Sequence, residues 1–253
     1  MRLQLPTIIF LCLSLIVVVP LIFYMQTGDQ MATREAINLE GQEFKSLREQ
    51  AAVAHNAKRH TAAIQIYAEA LKMRPDNAEV HNDLGATCYE YGLDYAGPNW
   101  PSWTTDLTNQ TPVEAVHELE TAIMEVGSGY IVMNSDKPDV TAAIDERAQT
   151  ADAYIYTQQF NEDVTMNIVI GKTKELFMKA RDHYLRAIDI KPTYPRPYYN
   201  LGALYMKIGQ HDTAVDYLEK AYQLDPRDKD LEAYLNELRS DNRGYISVPI
   251  DGR

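Results

Sequence analysis

The residues able to bind a metal or attack a substrate are few and scattered. Six histidines and two cysteines are spread over 253 residues. Cys12 lies in an apolar run and Cys88 in a helical segment far away, which argues against a disulfide, and no CxxC, CxxCH or Cys/His quartet is present for zinc or haem. His55 and His60 form the closest pair. At a separation of five they do not share a helical face as an i, i+4 pair would, so no metal is expected. There is no HExxH, no GxSxG elbow and no phosphate loop. Asp145-Glu146 and Glu162-Asp163 are adjacent acids, which read as a solvated face rather than as acid–base machinery. The oxygen-rich loops NSDKPD and NED lack the alternating ligands of a calcium loop. The sequence predicts no enzyme and no cofactor.

What the chain does offer is adhesion. The stretch GPNWPSW, 97–103, holds both tryptophans, Trp100 and Trp103, with Tyr95 just before it and Leu107 just after. Trp and Tyr are favoured at interface hot spots, and prolines stiffen a loop so that less entropy is lost on binding. Two readings stand: contact with a partner protein, or folding back onto the protein's own groove. Tyrosine is abundant, 17 against 5 Phe. It suits helix contacts that have one wet end. The formal charge is −12, and residues 92–171 hold 13 acids against two bases, Lys137 and Arg147. Such a surface repels phosphate backbones, so nucleic acid is not an expected partner.

Residues 8–25, IIFLCLSLIVVVPLIFYM, contain no charge. As a helix rising about 1.5 Å per residue they reach roughly 27 Å, near the thickness of a bilayer core. Arg2 precedes the run and Tyr24 closes it. The residues that follow, QTGDQMA, offer no good cleavage site, so an uncleaved anchor over 1–27 is preferred to a signal peptide. The slight charge bias places the N-terminus in the cytoplasm and the rest of the chain outside, in a bacterium the periplasm. A linker, 28–43, follows.

The elements behind the anchor obey a 34-residue ruler. In PRPYYNLGALYMKIGQHDTAVDYLEKAYQLDP, starting at Pro195, Leu201-Gly202 occupy places seven and eight. Tyr205 falls at eleven, Ala214 at twenty, Leu218 at twenty-four, Ala221 at twenty-seven and Pro226 at thirty-two. Small residues at Gly202, Ala214 and Ala221 let two antiparallel helices approach, Gly209-Gln210 makes the turn and Pro226 stops the second helix. The same ruler gives Leu47, Ala51, Ala54, Ala63, Tyr67, Ala70 and Pro75 in a unit 44–77. It then gives His81, Leu84-Gly85 and Cys88 in a unit that breaks off at Gly92, with Cys88 as a packing residue. This pattern resembles the tetratricopeptide repeat; the departure is Tyr198 at place four, where that family prefers Trp.

The resemblance implies an all-α solenoid of helix hairpins, three to four repeats with insertions, behind a single transmembrane helix. Two stretches compete to complete the broken repeat. TPVEAVHELETAIMEV offers Ala115, Leu119 and Ala122; KTKELFMKARDHYLRAIDIKP offers Ala180, Tyr184, Ala187 and Pro192. The first is preferred, because the stripe Ile144, Ala148, Ala151, Ile155 then supplies the next first helix in order. The array 44–228 accordingly divides into 44–77, 78–127 with an inserted loop 92–110, an elaborated unit 139–194, and 195–228. A capping helix is expected over 229–240 and a tail over 241–253, either a docking strand or, preferably, a plain end. GYIVMN, 129–134, and VTMNIVIG, 164–171, are β-rich; they either pair as a ribbon or the second extends the helix behind it.

By this resemblance the protein is a binding scaffold whose concave face is lined by first helices. Groove-facing places five and nine are Arg48, Ala52, Asn82, Ala86, Tyr199 and Ala203. They hold too few bases to clamp a carboxylate. Asn82 and Asn200 are candidates to hydrogen-bond an extended backbone. The expected function is a membrane-anchored extracytoplasmic scaffold, single-pass in the cell inner membrane. Its partners are other proteins, chiefly subunits of a membrane complex to which it is an accessory subunit. The alternative is a periplasmic assembly factor or chaperone with transient clients.

Overall fold

In the computed structural model of the protein, residues 37–241 and 246–247 are described. The apolar run 8–25, with Cys12, and the early linker lie outside them. Among the described residues no helix is long and apolar enough to cross a membrane. Two compact units are distinguished, Met1–Glu49 and Gln50–Arg253. In the first, residues 37–49 are helical, so the later part of the expected linker is regular structure. There the Arg48 guanidinium lies 6.0 Å from the centre of the Phe44 ring.

The elements run α1 (37–56), α2 (His60–Met73), α3 (Ala78–Ala96), β1 (Trp103–Asp106), α4 (Pro112–Val126), β2 (Gly129–Ser135), α5 (Pro138–Thr150), β3 (Tyr154–Phe160), β4 (Asp163–Ile170), α6 (Gly171–Ile190), α7 (Pro195–Lys207), α8 (His211–Leu224), α9 (Lys229–Asp241) and β5 (Ile246–Ser247). Local signals set the helix ends. Lys58 takes a left-handed φ of 54°. The Arg59 N–H then reaches back to the Ala54 carbonyl at 2.9 Å, the six-to-one closure of a Schellman turn. The Asn77 side chain accepts the Val80 N–H and caps α3, and Pro195 starts α7 where a missing N–H costs nothing.

The solenoid helices pack through small residues. Ala63, Ala70, Ala180, Ala187, Ala214 and Ala221 are buried, and so are Leu84, Leu201 and Leu218. Gly85 sits so close to α6 that a Cβ there would lie 2.7 Å from the Tyr184 ring. A Cβ on Gly202 would lie 2.5 Å from Leu218 Cγ. Only glycine admits these approaches. Tyr205 stacks on Tyr217, ring centres 5.5 Å apart, and Pro226 lies just beyond α8. Cys88 is buried in α3, and burial pushes its thiol up to about 11, as suits a packing residue.

The partner of α3 is α6, not α4. The preferred division of the array is thereby corrected: the broken repeat is completed by Ala180, Tyr184 and Ala187, and the chain between the two helices is one long insertion. Ala115, Leu119 and Ala122 are indeed a buried stripe, but they pack on a sheet. An amphipathic stripe states that one face is covered and does not state by what. The expected elaborated repeat over 139–194 is corrected as well. Helix α5 ends at Thr150, and Ile155 belongs to β3.

The insertion also corrects the all-α expectation. It carries a five-stranded sheet of order β1-β2-β4-β3-β5. Strands β1 and β2 pair in parallel through the crossover helix α4; β2, β4 and β3 pair antiparallel. GYIVMN and VTMNIVIG therefore form the ribbon, in the register Ile131↔Ile168 and Met133↔Met166. Ile246 and Ser247 add to β3 opposite Gln159 and Gln158, as the docking strand does in the less favoured reading of the tail. One sheet face, Ile131, Met133, Met166, Ile168 and Ile170, is buried under α4 and α5. The other carries Tyr130, Asn167 and Gln158 onto the turn between α7 and α8.

That second contact is polar and close. Tyr130 Oη donates to Asn167 Oδ1, the Gln158 amide donates to the Gly209 carbonyl, and the Gln210 amide donates to Tyr154 Oη. Gly209 has φ 82°, and a Cβ on it would lie 2.9 Å from both Tyr130 Oη and Asn167. The turn residue is thus fixed twice, by its own dihedral and by the sheet pressed against it.

Candidate functional site

Helix α7 presents a side-chain row to a cleft to which α3, α8 and α9 add single residues. Counted from Pro195, places five, nine and twelve of α7 are Tyr199, Ala203 and Met206, spaced four and three apart and so on one face. Together with Tyr89 of α3, Lys207, Leu218 and Tyr234 of α9 they line a cleft of about 490 Å³. Tyr199 and Tyr234 are 47% and 38% exposed. Tyr89 lies deeper, its ring 5.4 Å from Phe177, and burial pushes its hydroxyl up to about 12. An adjoining cleft runs toward the α7 N-terminus, past Arg196, Asn200, Asp225 and Asp228. Its walls add charge and amide groups to the apolar and hydroxyl-bearing floor. This is an assortment for holding a protein segment: rings and a thioether for apolar side chains, hydroxyls and amides for its backbone.

The sequence-derived candidates distribute unevenly over this site. Tyr199 and Ala203 line the cleft, and Asn200 lines the adjoining one. Asn82 does not. It is 2% exposed, and its Oδ1 accepts from Asn200 Nδ2 at 2.9 Å, a bond that ties α3 to α7. Its groove-facing role is corrected on that ground. Tyr95 is 51% exposed and meets Tyr91 edge-on, away from the cleft's lining.

The tryptophans fold back. Trp100 stacks flat on Tyr130, with ring centres 4.7 Å apart and an interplanar angle of 2°, and tilts against Phe177 at 5.9 Å. Lys207 Nζ lies 4.7 Å over the same indole, and desolvation lowers the pKa of that ammonium. The loop, the sheet and α7 are thus joined through one ring. Trp103 is in β1 and packs on the core beneath α4, with its Nε1 buried and without a hydrogen-bond partner. In this structure both tryptophans make contacts within the fold, as in the folding-back reading of GPNWPSW.

Tyr89, Met206, Lys207 and Tyr234 were absent from the sequence candidates. Extending the groove places by a further i+3 step, from 86 to 89 and from 203 to 206, would have found two of them. Lys207 and Tyr234 follow only from how the end of the array is built.

Profiles of the tetratricopeptide repeat match residues 50–77 and 195–228, and a TPR repeat profile matches 177–209. The chain therefore carries tetratricopeptide repeats in these stretches, and the last profile joins α6 to α7 as the packing does. Among solved structures it is similar to the TPR domain of OM64 from Arabidopsis, at 13% identity over 80% of this chain and 98% of that one, with a TM-score of 0.42. It is similar also to the first TPR of Spaghetti (RPAP3) bound to an HSP90 peptide, at 10% identity over 79% and 93%, TM-score 0.41. A third is the Sgt2 TPR domain from Aspergillus fumigatus, at 14% over 83% and 88%, TM-score 0.40. No curated protein matches the sequence.

Proposed function

We propose that this protein is a scaffold that holds a segment of another protein in the tyrosine-lined cleft of its repeats, and that it is no enzyme. The observation that carries the reading is the exposed pair Tyr199 and Tyr234, with the partly buried Met206, over a floor of Ala203 and Leu218. Exposed aromatic pairs of this kind are where interface energy concentrates. We further take residues 8–25 as a single membrane anchor. The repeats then stand on the extracytoplasmic side of the cell inner membrane, and the protein is an accessory subunit of a membrane complex. The uncharged run and the charge bias around it support that part.

A second reading, an assembly factor with exchangeable clients, is favoured by Trp100. Its ring is used inside the fold, on Tyr130 and Phe177, while the cleft is open. Native mass separates the two. The protein, extracted from its own membranes in mild detergent, should migrate in one large discrete species if it is a subunit. Migration near its own 28.8 kDa plus detergent would favour the assembly factor. Doubly substituting Tyr199→Ala and Tyr234→Ala should weaken either association at least tenfold, about 1.4 kcal/mol, with helicity unchanged. Full association by that variant would remove the cleft from the interface. Turnover that persists after all partners are stripped away would overturn the non-enzymatic reading.

A further inference from the structure

The turn between α1 and α2 brings together two histidines that the helical spacing rule had separated. His55 ends α1 and His60 begins α2. The Schellman closure at 57–59 swings the second back beside the first, with the rings edge-on at 6.4 Å. Glu90 of α3 completes the group: each of the three side chains presents a donor atom, and the three atoms lie within 4.8 Å of one another.

Hydrogen bonding fixes the tautomers. Thr87 Oγ1 donates its proton to the Asp83 carbonyl at 2.8 Å, so it can only accept from His55 Nδ1, 3.1 Å away. His55 thus carries a proton on Nδ1, which leaves Nε2 as the nitrogen that can face a ligand. Nε2 lies 3.5 Å from Glu90 Oε1. On the other side, His60 Nε2 donates to Asp94 Oδ2 at 2.9 Å, and Lys58 also pairs with Asp94, at 3.6 Å. The remaining nitrogen of His60, Nδ1, is buried and has no hydrogen-bond partner, in a residue only 5% exposed. Tyr91 stacks on this ring at 5.3 Å and holds its plane.

From this arrangement we propose that His55, His60 and Glu90 form a binding site for a divalent transition-metal ion, zinc foremost. Two imidazoles and one carboxylate are a zinc donor set, with the fourth position left to water. Both imidazoles already make the outer bond that orients a metal-binding histidine, His55 to Thr87 and His60 to Asp94. Ligand atoms around a tetrahedral ion at about 2.0–2.1 Å lie roughly 3.4 Å apart, so the three groups need close by little more than 1 Å. Glu90, with its side chain 46% exposed, is free to make that movement. The ion would staple the first hairpin to α3 and stiffen the start of the array.

The test uses the tag-free full-length protein and Co2+ as a spectroscopic stand-in for zinc. The expected result is one equivalent bound, with the intense visible bands of a tetrahedral site, displacement by Zn2+, and a rise in melting temperature with either ion. Glu90→Gln, an exposed change that spares the fold, and His55→Gln should each abolish the visible bands. Thr87→Val, which removes the outer bond to His55 together with the hydroxyl's bond to the Asp83 carbonyl, should weaken binding about 10- to 100-fold. Absence of saturable binding, or binding that is the same in wild type, Glu90→Gln and His55→Gln, would overturn the proposal.

Discussion

The solenoid and the unit inserted in it both bury apolar surface, yet they do so with opposite materials. Between α3 and α6, and between α7 and α8, the contact is made by glycine and alanine, with single Tyr or Leu side chains filling the space that their smallness leaves. Under α4 and α5 the core is Leu, Ile and Met laid on a pleated sheet. The first kind of packing is intolerant of added volume, and the second of removed volume. The difference teaches where each region is vulnerable, and it makes the two separable by experiment.

The largest effect is expected from Ile168→Ala, which empties the centre of the sheet's covered face. Such truncations cost about 2–5 kcal/mol. Hydrogen exchange should show protection lost first in β2 and β4, with α7 and α8 retaining theirs. Simultaneous loss in both regions would mean that they unfold as one unit. Gly202→Val is the reverse experiment. Overpacking against Leu218 costs about 1–3 kcal/mol, and here the protection lost should be that of α7 and α8.

Acid should divide the regions in the same sense. His81 Nδ1 and His183 Nδ1 meet at 3.1 Å between α3 and α6, and His81 Nε2 donates to the Pro75 carbonyl. The shared proton therefore comes from His183. Burial lowers the pKa of both rings, that of His183 from 6.5 to about 4. A folded-state pKa below the unfolded one means that the unfolded chain takes the proton first. The contribution of this pair is therefore full above pH about 6.5, falls as the pH drops, and levels off below about 4, a loss on the order of 1–3 kcal/mol. Urea midpoints across that range should fall for the solenoid before the insert, whose histidine, His117, is exposed. A flat profile would show that the two rings gain charge without strain.

The smallest effect is expected from Trp100→Ala. It removes the stack on Tyr130 and the Lys207 contact, together about 1–2 kcal/mol. Both cores should keep their protection, while amides at the α7–α8 turn lose some of theirs. A loss of overall helicity would instead make the indole part of the solenoid core.

How much of this was legible in the sequence follows from the same division. The ruler Leu-Gly, Ala, Leu, Ala, Pro placed α7 and α8 residue by residue, because a helix hairpin closes over a few residues and each signature position reports a contact nearby in the chain. Tyr199 and Ala203 were legible for that reason. The pairing of α3 with α6 was not. Its two halves are separated by the whole insert, and the stripe in α4 satisfies the same pattern, since amphipathicity records burial and not the identity of what covers it. Strand content at 129–134 and 164–171 was visible in the β-branched residues, but their pairing is non-local and has no signature of its own.

The sequence by itself determined the first and last repeats, their turns and the groove places Tyr199 and Ala203, since these rest on helix geometry and on the one residue that lets helices touch. Tertiary structure alone decided which helix completes the second repeat, where the tryptophans go, and that His55, His60 and Glu90 meet. Each of those depends on a turn or a sheet folding back, and a side chain's partners across such a fold are set by the path of the backbone, which no local spacing encodes.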